Sequence, residues 1–269
     1  MSGTRELATS YMMSGLSWSR PGETYGQIAV RHWDFFRRIR PLHPGFETWH
    51  PTGIHPDLFA PTDHIVWTEE LSRRLTGAVE GFTDRRPGEC DPEPLVESEW
   101  WCGDLAAGLT LRFFRSSFRP IPEDNWFEAD FPTMVADESF STFTPELRAE
   151  SMSYFTPELT QSFFRIAVEC WRPYWAAFVS SEQLARYGLL AITDEQAYEA
   201  FPGHLTYLTG VGPAEVADLA DVEPLADGVL LRVGAAPDTV DPAAPAALRT
   251  ALLDRLGTLS YTEAGALAH

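Results

Sequence analysis

Large aromatic residues are unusually frequent in this chain, which has nine Trp, seventeen Phe and eight Tyr among its 269 residues. Together with a hydrophobic content of 44%, they provide enough apolar surface to fill a sizeable core. Acidic disordered chains lack such residues and cannot offset the entropy lost on folding. The composition therefore predicts a folded globular protein.

Apolar residues follow the spacing of strands and helices in short segments that proline and glycine separate. Alternation predicts strands over 11–18, 46–50, 105–114, 126–131, 174–180, 204–209 and 228–233. Capping residues and prolines predict helices over 19–40 and 241–257, and a further helix that begins at Thr68. The motif Phe-Thr-Pro-Glu-Leu occurs at 143–147 and again at 155–159, and each copy predicts the start of a helix. A loop is predicted over 85–99.

These elements predict one α/β (α+β) domain over residues 1–269. We expect a mixed, mostly antiparallel sheet with helices packed on it. The segment 81–104 is where the chain could divide, but it has no flexible Gly/Ser linker.

The net charge limits which partners the protein can bind. The chain carries 39 acidic and 20 basic residues, a net charge of -19, and every basic residue is Arg. Nearly all of the acidic excess lies beyond Glu89. Such a surface repels nucleic acid and attracts basic proteins, whose encounter with it is accelerated. The alternative is that the acids only keep the protein soluble.

Cysteine usage and the first residues bear on localisation. Cys90, Cys102 and Cys170 have no CxxC spacing, which favours free thiols in a reducing compartment. Residues 1–10 lack a signal-peptide pattern, and no apolar window is long enough to cross a bilayer. We expect a soluble cytoplasmic protein with no membrane partner.

Signatures of enzymes are missing from the sequence. It has no phosphate-binding loop, no G-x-S-x-G elbow and no H-E-x-x-H motif. Imidazoles and carboxylates over 43–64 could bind zinc or iron, at His43, His50, His55, His64, Asp57 and Asp63. Because their spacing is irregular and prolines interrupt them, we expect solvated loop histidines and neither a metal nor another cofactor. The alternative is a small metal- or carboxylate-dependent hydrolase that uses loop 43–64.

Carboxylates also occur in pairs at a spacing of two, as in Glu97 with Glu99 and Glu128 with Asp130. On a strand such a pair shares one face, where it could serve acid–base chemistry or form an acidic binding face. We favour the binding face. Neighbouring tryptophans could anchor a partner, and in an extended segment Trp100 and Trp101 point to opposite faces.

Five segments carry a family resemblance: 11–24 (YMMSGLSWSRPGET), 35–44 (FFRRIRPLHP), 46–50 (FETWH), 204–208 (HLTYL) and 228–232 (GVLLR), the last followed by a closing helix. Together they resemble the immunity protein 52 family of bacterial polymorphic toxin systems. The resemblance implies a protein that binds and blocks a toxin domain, commonly a nuclease of restriction-endonuclease fold. It implies no catalytic residues of its own.

The expected function is therefore occlusion of a basic toxin by an acidic surface. We predict that the toxin-binding residues lie in the acidic middle of the chain, at Glu97, Glu99, Trp101, Asp104, Glu123, Asp124, Trp126, Glu128 and Asp130. The region from Glu215 to Asp227 is the second choice. Arg20 and Glu23 are assigned to the stability of the first strand–helix turn. An adaptor protein with an acidic surface is a further alternative.

Overall fold

The structure is a computed structural model. It describes residues 9–18, 31, 34–52, 65–66, 97–102, 109–115, 124–134, 153–154, 156–188, 199–262 and 265–269, and the account below concerns these residues. In parts of the strands only the backbone is described.

Ten strands form one sheet in which every pairing is antiparallel. The order across the sheet is β3-β2-β4-β5-β6-β1-β7-β8-β10-β9. The strands are β1 (Thr9–Trp18), β2 (Thr48–Thr52), β3 (Ile65–Val66), β4 (Glu97–Cys102), β5 (Leu109–Arg115), β6 (Asp124–Met134), β7 (Trp175–Ser180), β8 (Leu205–Thr209), β9 (Asp221–Leu225) and β10 (Gly228–Arg232).

Five helices lie among these strands in the described part of the chain. They are α1 (34–39), α2 (Pro157–Trp171), α3 (Ser181–Tyr187), α4 (Pro213–Val216) and α5 (Ala243–Leu256). Short 3-10 turns occupy Arg40–Leu42, Pro44–Glu47 and Pro237–Thr239. None of the described helices is both long enough and apolar enough to span a membrane.

Local sequence explains where the longest helix, α2, begins and ends. The Thr156 hydroxyl accepts a hydrogen bond from the Leu159 amide at 3.2 Å, and Pro157 occupies the first helical position. Arg172 then adopts the left-handed conformation that commonly ends a helix, and Pro173 prevents continuation.

Apolar cores cover both faces of the sheet. The first face carries Met13, Ala129, Phe131 and Phe178, which pack with α1 and α2 through Phe35, Phe36, Phe163 and Phe164. The second face carries Trp175, Ala177, Val179, Leu208, Val229 and Leu231, which pack with Leu184, Leu248, Leu252, Phe201 and Tyr261.

The predicted α+β class with a mainly antiparallel sheet is confirmed, and the sheet has no parallel pair among its described strands. The strands predicted at 11–18, 126–131, 174–180, 204–209 and 228–233 are present, as are α2 and α5. The strand predicted at 105–114 is described from Leu109.

Several local predictions were wrong or incomplete. Residues 97–99 form part of β4 and not a loop. The strand predicted over 46–50 begins only at Thr48, because Pro44 starts a 3-10 turn that occupies 44–47. Helices α3 and α4 and strand β9 were not predicted. The helix from Thr68, the motif at 143–147, Arg20 and Glu23 lie outside the described residues, and the division near 81–104 stays untested.

Candidate protein-binding face

Strand β6 shows how the predicted acidic residues are sorted by the sheet. Ala129 and Phe131 are buried in the core on the first face. Because successive strand residues point to opposite faces, Glu128 and Asp130 are placed on the second face. The strand therefore has the alternation of an antiparallel strand that is apolar on one side and polar on the other.

Cross-strand register extends this sorting to the neighbouring strands. Residues directly opposite each other in an antiparallel sheet share a face. Seven predicted residues thereby come to the second face, which we call the acidic sheet region: Glu97, Glu99 and Trp101 on β4, with Asp124, Trp126, Glu128 and Asp130 on β6.

Strand β5 lies between the two acidic strands and completes three rows across them. The rows are Glu97–Phe114–Trp126, Glu99–Arg112–Glu128 and Trp101–Thr110–Asp130. Adjacent rows on one face are about 7 Å apart, and adjacent strands about 4.8 Å apart. The region thus spans roughly 14 Å by 10 Å, which is enough to receive several side chains of a partner.

Arg112 is the residue that the sequence interpretation missed. The register places it directly between Glu99 and Glu128. Opposite charges at such positions contribute about 0.2–1 kcal/mol per pair. At their register positions the two outer rows contain an acid, Glu97 or Asp130, and no basic residue.

The two adjacent tryptophans fall on different faces, as predicted for an extended segment. Trp101 belongs to the row of Thr110 and Asp130, whereas Trp100 is opposite Leu111, which pairs with the buried Ala129. Trp101 is thus the one placed among the acids. Asp104 and Glu123 lie outside the described residues, and their part in this region stays a prediction.

The same rows become apolar as they continue across the sheet. Glu128 is opposite Ser14, which is opposite the fully buried Ala177, and Asp130 is opposite Met12, which is opposite the fully buried Val179. The second face therefore changes from core to charge between β1 and β6.

The second-choice region from Glu215 to Asp227 is arranged differently. Each of its five acids has a partner within the protein. Glu215 accepts a hydrogen bond from the Gly212 amide at 2.6 Å and so caps α4. The other four, Asp218, Asp221, Glu223 and Asp227, form ion pairs with Arg255, Arg232, Arg165 and Arg172 respectively.

Asp218 is the clearest case of this internal pairing. Both of its oxygens accept hydrogen bonds from Arg255, at 3.1 and 2.9 Å. These hydrogen bonds lower the pKa of Asp218 from its ordinary value and raise that of Arg255. Such geometry is typical of an acid that joins elements of its own fold, here the end of α4 and α5.

His43 bears on the hydrolase alternative. Its Nδ1 accepts a hydrogen bond from the Gly45 amide at 3.0 Å, and its Nε2 lies 2.9 Å from the Ser153 hydroxyl. In a neutral imidazole one nitrogen donates and the other accepts, so Nε2 carries the proton and donates to Ser153. A general base accepts a proton through a free nitrogen lone pair. Here Nε2 carries the proton, and the lone pair of Nδ1 is used by the Gly45 amide.

The remaining candidates for chemistry are equally unpromising within the described ranges. No group of three or more His, Cys, Asp or Glu residues could hold a metal ion there. His55, His64, Asp57 and Asp63 lie outside these ranges. Cys170 is buried, and desolvation raises the pKa of its thiol to about 12, so it is a poor nucleophile.

Comparison with known proteins gives a relationship of fold. No family model matches the chain, and no curated protein matches it. Among solved structures, the T6SS protein PA0821 of Pseudomonas aeruginosa is similar, with a TM-score of 0.54 and 15% sequence identity. The match covers 95% of this chain and 74% of that protein. At this identity the likeness concerns the fold alone.

Proposed function

We propose that this chain is an immunity protein that binds a basic toxin domain and blocks it, with the acidic sheet region as its binding face. The observation that carries the proposal is the register of β4, β5 and β6, which brings seven separately predicted residues to one face. The resemblance of its segments to the immunity protein 52 family supports the same class.

Occlusion is the mechanism that this surface favours. A nuclease holds phosphates with positive groups, and carboxylates at Glu97 and Asp130 can occupy such groups in place of phosphate. Complementary charge speeds association, which matters when a toxin must be captured before it acts. A nuclease is accordingly the toxin class that we favour.

Aromatic residues would supply most of the binding energy. The outer rows each combine an acid with a tryptophan, Glu97 with Trp126 and Asp130 with Trp101. Tryptophan is enriched at the few positions that dominate interface energies, and surrounding charges mainly govern rate and specificity. A positively charged side chain can also contact a tryptophan ring favourably.

A genetic experiment tests the proposed class. The reading frames on each side of this gene are expressed in a bacterial host, alone and together with the full chain. One of them is expected to arrest growth alone and to be tolerated in the presence of this chain. A second arm replaces the chain with the double variant Glu97→Arg, Asp130→Arg, which should protect less well.

The control for that arm is Glu158→Arg on α2, an exposed acid on the helix that packs on the first face of the sheet. It should protect as well as the unmodified chain. Absence of any toxic neighbour, or toxicity that the chain does not relieve, contradicts the immunity proposal. Protection by the double variant equal to that of the control contradicts only the assigned face.

A further inference from the structure

Strand β9 forms one edge of the sheet and buries little apolar surface. Of its five residues only Leu225 is buried, while Asp221 and Pro224 are exposed. Its neighbour β10 buries Val229, Leu230 and Leu231 almost completely. Because apolar burial is the main favourable contribution to folding, β9 is held less strongly by it than β10.

The backbone of the β9–β10 hairpin adds two further weaknesses. Pro224 has no N–H group to donate, which is typical of an edge strand. Leu225 pairs with Gly228, so only Ala226 and Asp227 form the turn. Ala226 has φ 48°, in the left-handed region that a residue with a Cβ adopts at a cost.

Four ion pairs act against these weaknesses. Arg165 of α2 binds Glu223 at 2.8 Å, and Arg172 at the end of α2 binds Asp227 at 3.3 Å. Arg232 of β10 binds Asp221, and Arg255 of α5 binds Asp218 at 2.9 Å. The arginines of α2 and β10 therefore reach β9 and its turn, and Arg255 of α5 holds Asp218, just before β9 begins.

Solvent exposure determines how these pairs respond to salt. The paired side chains are about one-third to two-thirds exposed, from 35% and 37% for Arg165 and Glu223 to 54% and 69% for Arg172 and Asp227. Charges this exposed are screened by dissolved ions. The attachment of β9 should then weaken as ionic strength rises, while the apolar packing of β7, β8 and β10 does not.

We propose that β9 is a salt-sensitive edge clasp, held closed by these four ion pairs and able to open while the central strands stay paired. Opening leaves one edge of β10 with unpaired N–H and C=O groups, the kind of edge to which another strand can add. The clasp is independent of the acidic sheet region, which lies on the other side of the central strands.

Hydrogen exchange of the full chain, followed by mass spectrometry, tests the clasp. Samples are compared at low salt and at about 1 M NaCl, where the screening length is about 3 Å. The amides of 221–225, apart from Pro224, which has none, are expected to exchange about two- to fivefold faster at high salt, as the loss of weak exposed pairs allows. Amides of β7 and β8 should be unaffected.

Two variants and a matched control sharpen this experiment. Glu223→Gln removes one pair, so it should speed exchange of 221–225 at low salt and reduce the response to salt. Ala226→Gly relieves the turn and should slow that exchange. Glu182→Gln removes the pair with Arg186, which is similarly exposed but lies within α3, and it should leave 221–225 unchanged.

Each contrary result has a definite meaning. Equal exchange of 221–225 at both salt concentrations would show that the ion pairs do not hold this edge. Exchange of β7 and β8 that rises in parallel with β9 would show that the whole sheet opens. Either result overturns the clasp.

Discussion

The protein has two acidic regions that are built in different ways. In the acidic sheet region, the register brings Glu97, Glu99, Glu128 and Asp130 to one face and sets Arg112 opposite Glu99 and Glu128. In the segment from Glu215 to Asp227, all five acids are engaged by an amide or an arginine of the fold itself. Acid content alone therefore does not mark a binding surface, since charges that already have partners attract a second one less.

The comparison also separates two physical roles for a carboxylate. An acid that joins Arg165 to β9 contributes to attachment within the molecule. An acid that the register places on a face with tryptophans is, in our proposal, one that steers a basic partner.

The largest effect is expected from truncating a tryptophan in each half of the second face. Trp175 is fully buried in its apolar half, and Trp175→Ala should lower the free energy of unfolding by about 3–5 kcal/mol. Trp126→Ala, in the acidic sheet region, should cost less stability but lower toxin affinity by about 2 kcal/mol or more. Urea unfolding and equilibrium binding measure the two quantities.

A Trp126→Ala variant as unstable as Trp175→Ala, with toxin affinity retained, would place Trp126 in the core. That outcome would remove the aromatic anchor from the proposed interface. The comparison of the two variants is informative because the same residue type is truncated in both.

A moderate effect is expected from Arg112. Arg112→Gln leaves Glu99 and Glu128 without their opposite charge, so the region becomes more negative. Association with a basic toxin should become about two- to threefold faster at low salt, and stability should fall by about 0.4–2 kcal/mol for the two lost pairs. Stopped-flow kinetics would show it, with Arg37→Gln on α1, which packs on the first face, as the control for a charge away from the region. Slower association would indicate that Arg112 itself contacts the toxin.

The smallest effect concerns Asp218 and pH. Its pKa is lowered in the folded protein by hydrogen bonds from Arg255, so its contribution to stability is present above the ordinary pKa of Asp. That contribution is lost as pH falls through the lowered folded-state value. Asp218→Asn should therefore reduce stability at neutral pH and make the fall of Tm in acid less steep.

Calorimetry across the acidic range checks this prediction, with Glu158→Gln as a control for an exposed acid on α2. The same acid dependence in Asp218→Asn and the unmodified protein would show that the pair with Arg255 adds nothing to folding. The C-terminal acids would then be as available to a partner as those of the sheet.

Local signals explain most of what the sequence predicted correctly. The Thr156-Pro157 start of α2 and the Gly257 end of α5 are set by residues at the helix ends. The spacing of Glu128 and Asp130 likewise fixes their common face once β6 is extended. The capping box of Ser180 and Gln183 was an available signal for α3 that the interpretation missed.

Non-local pairing explains what the sequence could not predict. No pattern within one strand shows that Arg112 is opposite both Glu99 and Glu128, because the register between β4, β5 and β6 is not fixed by the residues of any one of them. Strand β9 has few apolar residues and contains a proline, so no local pattern predicts it. Its Glu223 and the turn residue Asp227 pair with arginines that lie more than fifty residues away in the chain.

The central claim is that charges of the acidic sheet region, and not those of the C-terminal segment, steer the toxin. Two double variants change the net charge equally: Glu97→Gln with Asp130→Asn, and Asp221→Asn with Asp227→Asn. Their association rates with the cognate toxin are measured at low and high salt. We predict about fivefold slower association and a weaker salt dependence for the first pair only. Equal rates for the two pairs, or a slower rate for the second alone, would contradict the claim.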